Sequence, residues 1–368
     1  MLFVKPAEMG STVLMYSMLK RARELWPGVE FHFLVFAENT AAVEMLGLVP
    51  PENVHCLKTD NFKTFAVDCL AKLFELRRLK FDVAVDLEFF SRASAILTEL
   101  SGAKSTCGFD RFTMEGLYKG SFLSHPVQYN PHIHTAQTFY SMIEALRQPA
   151  GQIPLVKAAV PPLEEMELPR LQPEEAERKS VRDLMAQINP QAALAKKLVI
   201  INANSSELVP LRRWPLENFI ELGRQILQNH DCRIVLTGVP SEREESERVA
   251  AALGEENVIN LVGKTSLRQL LVLYTLCNLM VTNDSGPSHF ASITDLAVVT
   301  LFGPETPALY GALGKNRRAL SAGLACSPCV SSYNHRATSC NDNQCMKQLS
   351  VEMVYEACDA LITRGGQK

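Results

Sequence analysis

Val281-Thr282-Asn283-Asp284-Ser285-Gly286-Pro287-Ser288-His289-Phe290-Ala291, followed by Leu301-Phe302-Gly303-Pro304-Glu305-Thr306-Pro307, sets the architecture of this chain. An apolar run from Leu276 to Val281 stops at Asn-Asp-Ser-Gly-Pro. A helix-like segment follows, and a second apolar run, Ala297 to Phe302, ends in Gly-Pro. This is the pattern strand, turn, helix, strand, turn, with polar residues where two strands end. In an open parallel sheet, ligands bind outside the carboxyl ends of strands. Asp284 and Ser285 stand at a strand-to-helix turn, where backbone N–H groups and the helix dipole attract an anion such as phosphate. His289 lies one helical turn beyond Ser285, so both side chains can share a face. The plainer alternative is an N-cap, a turn and a packed histidine.

Working outward, strands alternate with helices along most of the chain. Leu2–Val4, Glu30–Phe36, Val54–Leu57 and the run ending at Asp86 read as strands. Helices are expected over Thr12–Leu25, Thr40–Leu46, Ala66–Leu79 and Arg92–Leu100. From residue 161 to 190 the character changes to Pro161-Pro162, acidic residues and a charged helix, which reads as a linker. A second series follows, with strands Leu198–Asn202, Cys232–Thr237 and Val258–Leu261 and helices Leu216–Gln228, Ser241–Leu253 and Ser266–Thr275. The final helix is expected over Val351–Ile362. Such alternation implies parallel sheets with right-handed crossovers. The expected organisation is therefore an amino-terminal α/β domain over residues 1–160, a linker over 161–190 and a second α/β domain over 191–368.

Composition narrows the functional classes. The chain has 368 residues and a net charge of −3, which argues against nucleic acid as its main partner. No apolar stretch approaches the roughly 20 residues that cross a bilayer. The amino terminus reads as a short strand rather than a signal peptide, and ten cysteines without such a signal point to a reducing cytoplasm.

The Asp-Ser-Gly segment resembles the donor-site signature of glycosyltransferase family 9, the heptosyltransferase-like enzymes of bacterial lipopolysaccharide core synthesis. The family pattern is Asp-(Ser/Thr)-Gly-x-x-His-x-Ala, an apolar strand, then Phe-Gly-Pro-Thr-x-Pro. This chain departs from it with Glu305 inside Gly303-Pro304-Glu305-Thr306-Pro307. A second element of the resemblance is Ser205-Ser206 after a strand, then Arg212-Arg213-Trp214-Pro215, with Arg212 at the family's basic position. The resemblance implies a GT-B fold: two doubly wound, Rossmann-like parallel-sheet domains facing an interdomain cleft. It also implies a nucleotide-diphospho-sugar donor, an ADP-sugar favoured, and a glycolipid or oligosaccharide acceptor of the cell envelope. The expected location is the cytoplasm, with peripheral contact at the inner face of the membrane.

Within that frame, Ser205, Ser206, Arg212, Asp284, Ser285, Gly286 and His289 are the expected donor-binding residues. A guanidinium clamps a diphosphate bidentately and stabilises it as it leaves. With Arg212 and the helix start at Ser285 supplying that charge, no metal or other cofactor is expected for catalysis. Family members invert the anomeric centre in one displacement, which requires a base but no covalent nucleophile.

Typical members supply that base as the Asp of a Gly-Asp pair in the first turn. The matching pair here is Gly10-Ser11, and serine cannot take the proton at neutral pH. Glu8, in the same turn, is the expected catalytic replacement; its competing role is to cap the following helix. Two other classes stay open: a degenerate site that only binds a nucleotide sugar, and a nucleotide-sugar epimerase of the same architecture.

Acceptor contacts carry a weaker signal. Over residues 1–150, 15 Lys and Arg stand against 16 Asp and Glu, so this half has no bulk positive field. Ser11 and Arg92 are the acceptor-side candidates. Lys104, Arg111 and Lys119 are further local candidates, and each of them, like Arg92, reads more readily as a surface or loop charge. Near the carboxyl end, Cys326, Cys329, Cys340 and Cys345 form C-x2-C-x10-C-x4-C, a set that could hold a structural zinc. Reduced thiols or a disulfide are the alternatives.

Overall fold

The computed structural model describes residues 1–368 apart from 8, 59–60, 90, 111–118, 153–155, 204–208, 333, 335 and 366–368. The chain forms two compact units. One comprises Met1–Pro169 with Ser331–Ala337, the other Arg170–Val330 with Thr338–Lys368. The division after Pro169 falls inside the stretch read as a linker. The charged helix Glu175–Ile188 belongs to the second unit, where Glu177 takes two bonds from Arg268, at 2.7 and 2.9 Å.

The first unit holds β1 (Leu2–Val4), β2 (His32–Phe36), β3 (Val54–Leu57), β4 (Val83–Asp86), β5 (Ser105–Phe109) and β6 (His125–Val127). They form one parallel sheet in the order β3-β2-β1-β4-β5-β6. The second unit holds β7 (Leu198–Asn202), β8 (Arg233–Leu236), β9 (Val258–Asn260), β10 (Leu279–Asn283), β11 (Ala297–Phe302) and β12 (Arg317–Ser321). Their order, β12-β11-β10-β7-β8-β9, is the same winding repeated. Each sheet reverses its strand order once, between β1 and β4 in the first and between β7 and β10 in the second. Crevices form at such reversals because the two flanking connections leave to opposite faces of the sheet. Two Rossmann-like sheets of this kind are the GT-B fold.

The second core shows why these strands read as unbroken apolar runs. β7, β10 and β11 are buried along their whole lengths, as expected when both faces of a parallel sheet are covered. Ile201, Val281, Val299 and Leu301 pack with Phe219, Leu222 and Ile226 of the helix Leu216–Asn229 and with Val354 and Cys358 of the last helix, Val351–Gly365. Trp214 anchors this layer. It is 2% exposed, lies edge-on to Phe219 at 4.9 Å and donates from Nε1 to the Leu349 carbonyl at 2.9 Å.

The structure adds elements that periodicity does not reveal. β5, β6 and β12 are short or polar, and β12 is a partly exposed edge strand. The helix Thr135–Ala145 is capped by His134, whose Nδ1 accepts from the Ala136 N–H. The single helix expected from Thr12 is a 3-10 segment, Met9–Met15, followed by an α-helix over Tyr16–Leu25. Gly10 and the β-branched Thr12 and Val13 are weak α-helix formers, in keeping with a tighter start.

Trp214→Ala should destabilise the second unit by about 3–5 kcal/mol, the range for a large buried aromatic cut to alanine. Denaturant unfolding followed by circular dichroism checks this; a loss below about 1 kcal/mol would remove Trp214 as the anchor.

Candidate functional site

The strand reversal of the second sheet is held by two buried amides. Asn202 ends β7 and donates from Nδ2 to the Thr237 carbonyl at 2.8 Å; its Oδ1 accepts from Thr282 Oγ1 at 3.2 Å. Asn283 ends β10 with no exposure to solvent. Its Nδ2 donates to the Ala203 carbonyl at 2.6 Å, and its Oδ1 accepts from the Trp214 N–H at 3.0 Å. The carboxyl ends of β7, β8 and β10 are thereby fixed together, and so is the chain that enters the helix Leu216–Asn229. Buried polar groups satisfied in this way specify one arrangement, because any slip leaves a costly unpaired group.

Asp284 follows directly and extends the ladder, its N–H donating to Leu301 O at 2.9 Å. Arg212 ends the 3-10 turn Pro210–Arg212 and is itself 9% exposed. Its Nη1 lies 3.5 Å from Glu305 Oε2 and 3.9 Å from Asp284 Oδ2. Both carboxylates are almost fully buried. The structure thus brings together Arg212 and Asp284, expected from sequence, and Glu305, read there only as a departure from the family pattern. What places Glu305 is its position just past β11, the strand beside β10. Arg212 Nε has no hydrogen-bond partner among the described residues. A buried guanidinium held by carboxylates at its end keeps its planar fork pre-organised for a second bidentate partner.

Ser285 departs from the simple capping role. It precedes the helix Gly286–Ala291, but its Oγ turns back to donate to the Asn283 carbonyl at 3.1 Å and makes no cap bond. That helix is only six residues long, so its dipole contributes little and most of the positive charge comes from Arg212. Gly286 opens the helix and His289 is buried on it. Ser205 and Ser206 lie outside the described residues. A small cavity beside the ends of β7 and β8, lined by Ile201, Leu236, Thr237, Val249 and Val262 with Glu245 as its carboxylate, has no counterpart in the sequence motifs.

The first sheet carries charge at its own reversal. Lys5, just past β1, donates to Ala7 O at 2.7 Å and pairs with Glu88 Oε1 at 3.1 Å; the Ala7 N–H donates to the same oxygen at 2.9 Å. Lys119 pairs with Asp86 at 2.6 Å, both side chains fully buried, and donates to the Glu88 carbonyl at 2.6 Å. This corrects the reading of Lys119 as a surface charge. Lys104 is exposed and pairs with Asp82 at 2.7 Å. Of the other candidates, Glu8 and Arg111 lie outside the described residues, Ser11 is half-buried in the 3-10 segment, and Arg92 is exposed at the first turn of its helix.

The four tail cysteines gather around Cys345. Cys326 and Cys340 are exposed, Cys329 is half-buried and Cys345 is buried. Burial pushes the Cys345 thiol up, and Cys329, Cys340 and Cys326 push it the same way. Among the described residues no three of these or other side chains stand in a metal-holding arrangement.

With this geometry, the chain matches the model of glycosyltransferase family 9 (heptosyltransferase) over residues 70–338. The chain belongs to glycosyltransferase family 9. This family 9 chain is 37% identical over 105 residues to lipopolysaccharide heptosyltransferase 2 of Salmonella typhimurium, a match spanning 28% of the chain and 30% of that protein's length. It is 24% identical over 338 residues to lipopolysaccharide heptosyltransferase 1 of Pseudomonas aeruginosa, covering 89% of the chain and 85% of the relative. Its fold is similar to that of the solved E. coli ADP-heptose lps heptosyltransferase II, with a TM-score of 0.76 at 19% identity over 99% of each chain. Among the described residues, no helix of the family 9 chain is long and apolar enough to cross a membrane.

Proposed function

We propose that this family 9 chain is an inverting glycosyltransferase that moves a heptose or similar sugar from an ADP-sugar to a lipopolysaccharide-type acceptor. The observation that carries the reading is the buried Arg212 between Asp284 and Glu305, at the strand reversal of the second sheet. An acceptor hydroxyl attacks the anomeric carbon, and the bond from that carbon to the diphosphate oxygen breaks. Charge develops on the leaving diphosphate, and Arg212 is the group suited to stabilise it. Asp284 orients the donor sugar by accepting from its hydroxyls. Ser205, Ser206 and Ser285 offer further donors, and Gly286 and His289 complete the donor wall. The relatives are heptosyltransferases by name, and the similar E. coli structure is that of an ADP-heptose heptosyltransferase. Both facts favour transfer over the epimerase alternative, and the second supports the adenine nucleotide.

Glu8 is the proposed base. Support comes from the sequence and from the carboxylates of this sheet end: Glu8 is the only carboxylate of the stretch Pro6 to Ser11, and Glu88 and Asp86 already hold Lys5 and Lys119, at 3.1 and 2.6 Å. Ser11 and Arg92 are the proposed acceptor contacts. We further propose that the enzyme acts in the cytoplasm, and that the four tail cysteines are reduced thiols of no catalytic role, since among the described residues they do not stand in a metal-holding arrangement. Protein purified without chelator should then carry no zinc and titrate four tail thiols, whereas close to one zinc per chain would rule this out.

The function itself is tested by offering ADP- and UDP-sugars with and without lipopolysaccharide-type acceptors. Transfer from an ADP-sugar is expected; binding without transfer to any acceptor would leave a nucleotide-sugar-binding protein. Glu8→Gln should then cut turnover by about 10²–10⁴-fold with donor affinity retained. Unchanged turnover would make Glu8 a helix cap.

A further inference from the structure

The helix Phe62–Leu79 is apolar on two opposite faces. Its inner face sets Phe65, Cys69, Leu73 and the fully buried Leu76 against Leu57 and Phe81 in the core of the first unit. Its outer face presents Val67, Leu70 and Phe74, at spacing i, i+3, i+7, with 68%, 60% and 69% of their surface exposed. A surface helix packed along one apolar face normally turns a polar face to solvent; this one turns a second apolar strip outward. The exposed strip continues through Leu79 and onto the helix Arg92–Leu100, where Ile96 and Leu100 are 51% and 42% exposed. The two helices lie side by side, with the Arg77 side chain lying across Gly102 just past the second helix. Six of the ten exposed large hydrophobic residues among the described ones fall on these two helices, so this is a patch and not ordinary scatter.

The charges around it are sorted. Asp68 is tied to the Lys58 N–H, and Glu75 to Lys72 and His55, which draws these acids toward β3 and its approach. The carboxyl end of the first helix carries Arg77, Arg78 and Lys80, all exposed, and none of them has an ion-pair partner among the described residues. Glu99 is the exposed acid on the second helix, and the nearby Asp82 is neutralised by Lys104.

We propose that this face docks on an anionic phospholipid bilayer. An amphipathic helix lying in the interface sinks its apolar strip to the acyl boundary, while arginine and lysine meet the lipid phosphates. Val67, Leu70, Phe74, Ile96 and Leu100 supply the strip, and Arg77, Arg78 and Lys80 the cationic rim. The complementarity is with anionic headgroups, since a neutral surface would leave three unpaired cations without a partner. The inference adds a site of membrane contact to the proposed transfer to a lipid-borne acceptor, and stands apart from whether transfer occurs.

The test is co-sedimentation of the full chain with phosphatidylglycerol–phosphatidylcholine vesicles and with pure phosphatidylcholine vesicles, without donor or acceptor. Binding to the anionic vesicles should be at least tenfold tighter and should weaken with added salt. The double substitutions Leu70→Glu with Phe74→Glu, and Arg77→Glu with Arg78→Glu, should each reduce it at least tenfold while the circular dichroism spectrum is kept. Absence of binding to anionic vesicles, or binding indifferent to both double substitutions, would overturn the proposal. So would a dimer in sedimentation velocity that Leu70→Glu with Phe74→Glu dissolves, which would assign the face to a second copy. Vesicle binding by a chain that transfers no sugar would refute the transfer reading alone.

Discussion

Asn283, with both amide atoms bonded to backbone and no solvent contact, is the constraint on which the second unit's site depends. It joins the end of β10 to the chain leaving β7 and to the residue beside Arg213, two positions from Arg212. Without it, Asp284 and Arg212 would sit on loops free to move independently. An aspartate there would lack the donor for Ala203, and a leucine would leave two buried backbone groups unpaired. Asn202 repeats the device one strand over, tying β7 to the residue after β8 and to Thr282. The Asp-Ser-Gly turn is thus built on a rigid ledge of sheet.

On that ledge stands a charge arrangement that is expensive to bury. One guanidinium faces two carboxylates, so the cluster of Arg212, Asp284 and Glu305 carries a formal charge of −1 away from bulk water. Buried ion pairs seldom stabilise a fold more than apolar residues of the same shape would. Here the two carboxylates fix the guanidinium at the strand reversal, which is the positional role that the proposed donor site requires. The first unit repeats the theme at its own strand reversal, where Lys5 with Glu88 and Lys119 with Asp86 fix the turn after β1. Repeated winding has produced two charged ledges, one around Arg212 and one at the end of β1 around Lys5.

The ledges differ in how far the sequence discloses them. The apolar runs of β10 and β11 stop at Asn-Asp-Ser-Gly and Gly-Pro, so strand ends and site residues are legible together. Arg212 is legible only through resemblance, because an arginine before Trp-Pro has no local signature of its own. Glu305 looks like a disturbance of the pattern because its partner lies on another loop, and no local periodicity records that meeting. Lys119 is misjudged for the same reason: its burial comes from Asp86, more than 30 positions away in sequence. The polar and short strands β5, β6 and β12 are invisible because edge position and close packing, rather than side-chain alternation, define them.

The central claim is that Arg212 holds the donor's diphosphate. Calorimetry of ADP binding to the native chain and to Arg212→Ala, with folding of the variant checked by circular dichroism, tests it most directly. The account predicts a loss of about 1.5–3 kcal/mol, the scale of hydrogen bonds to a charged group. A folded Arg212→Ala chain that binds ADP with native affinity would contradict it.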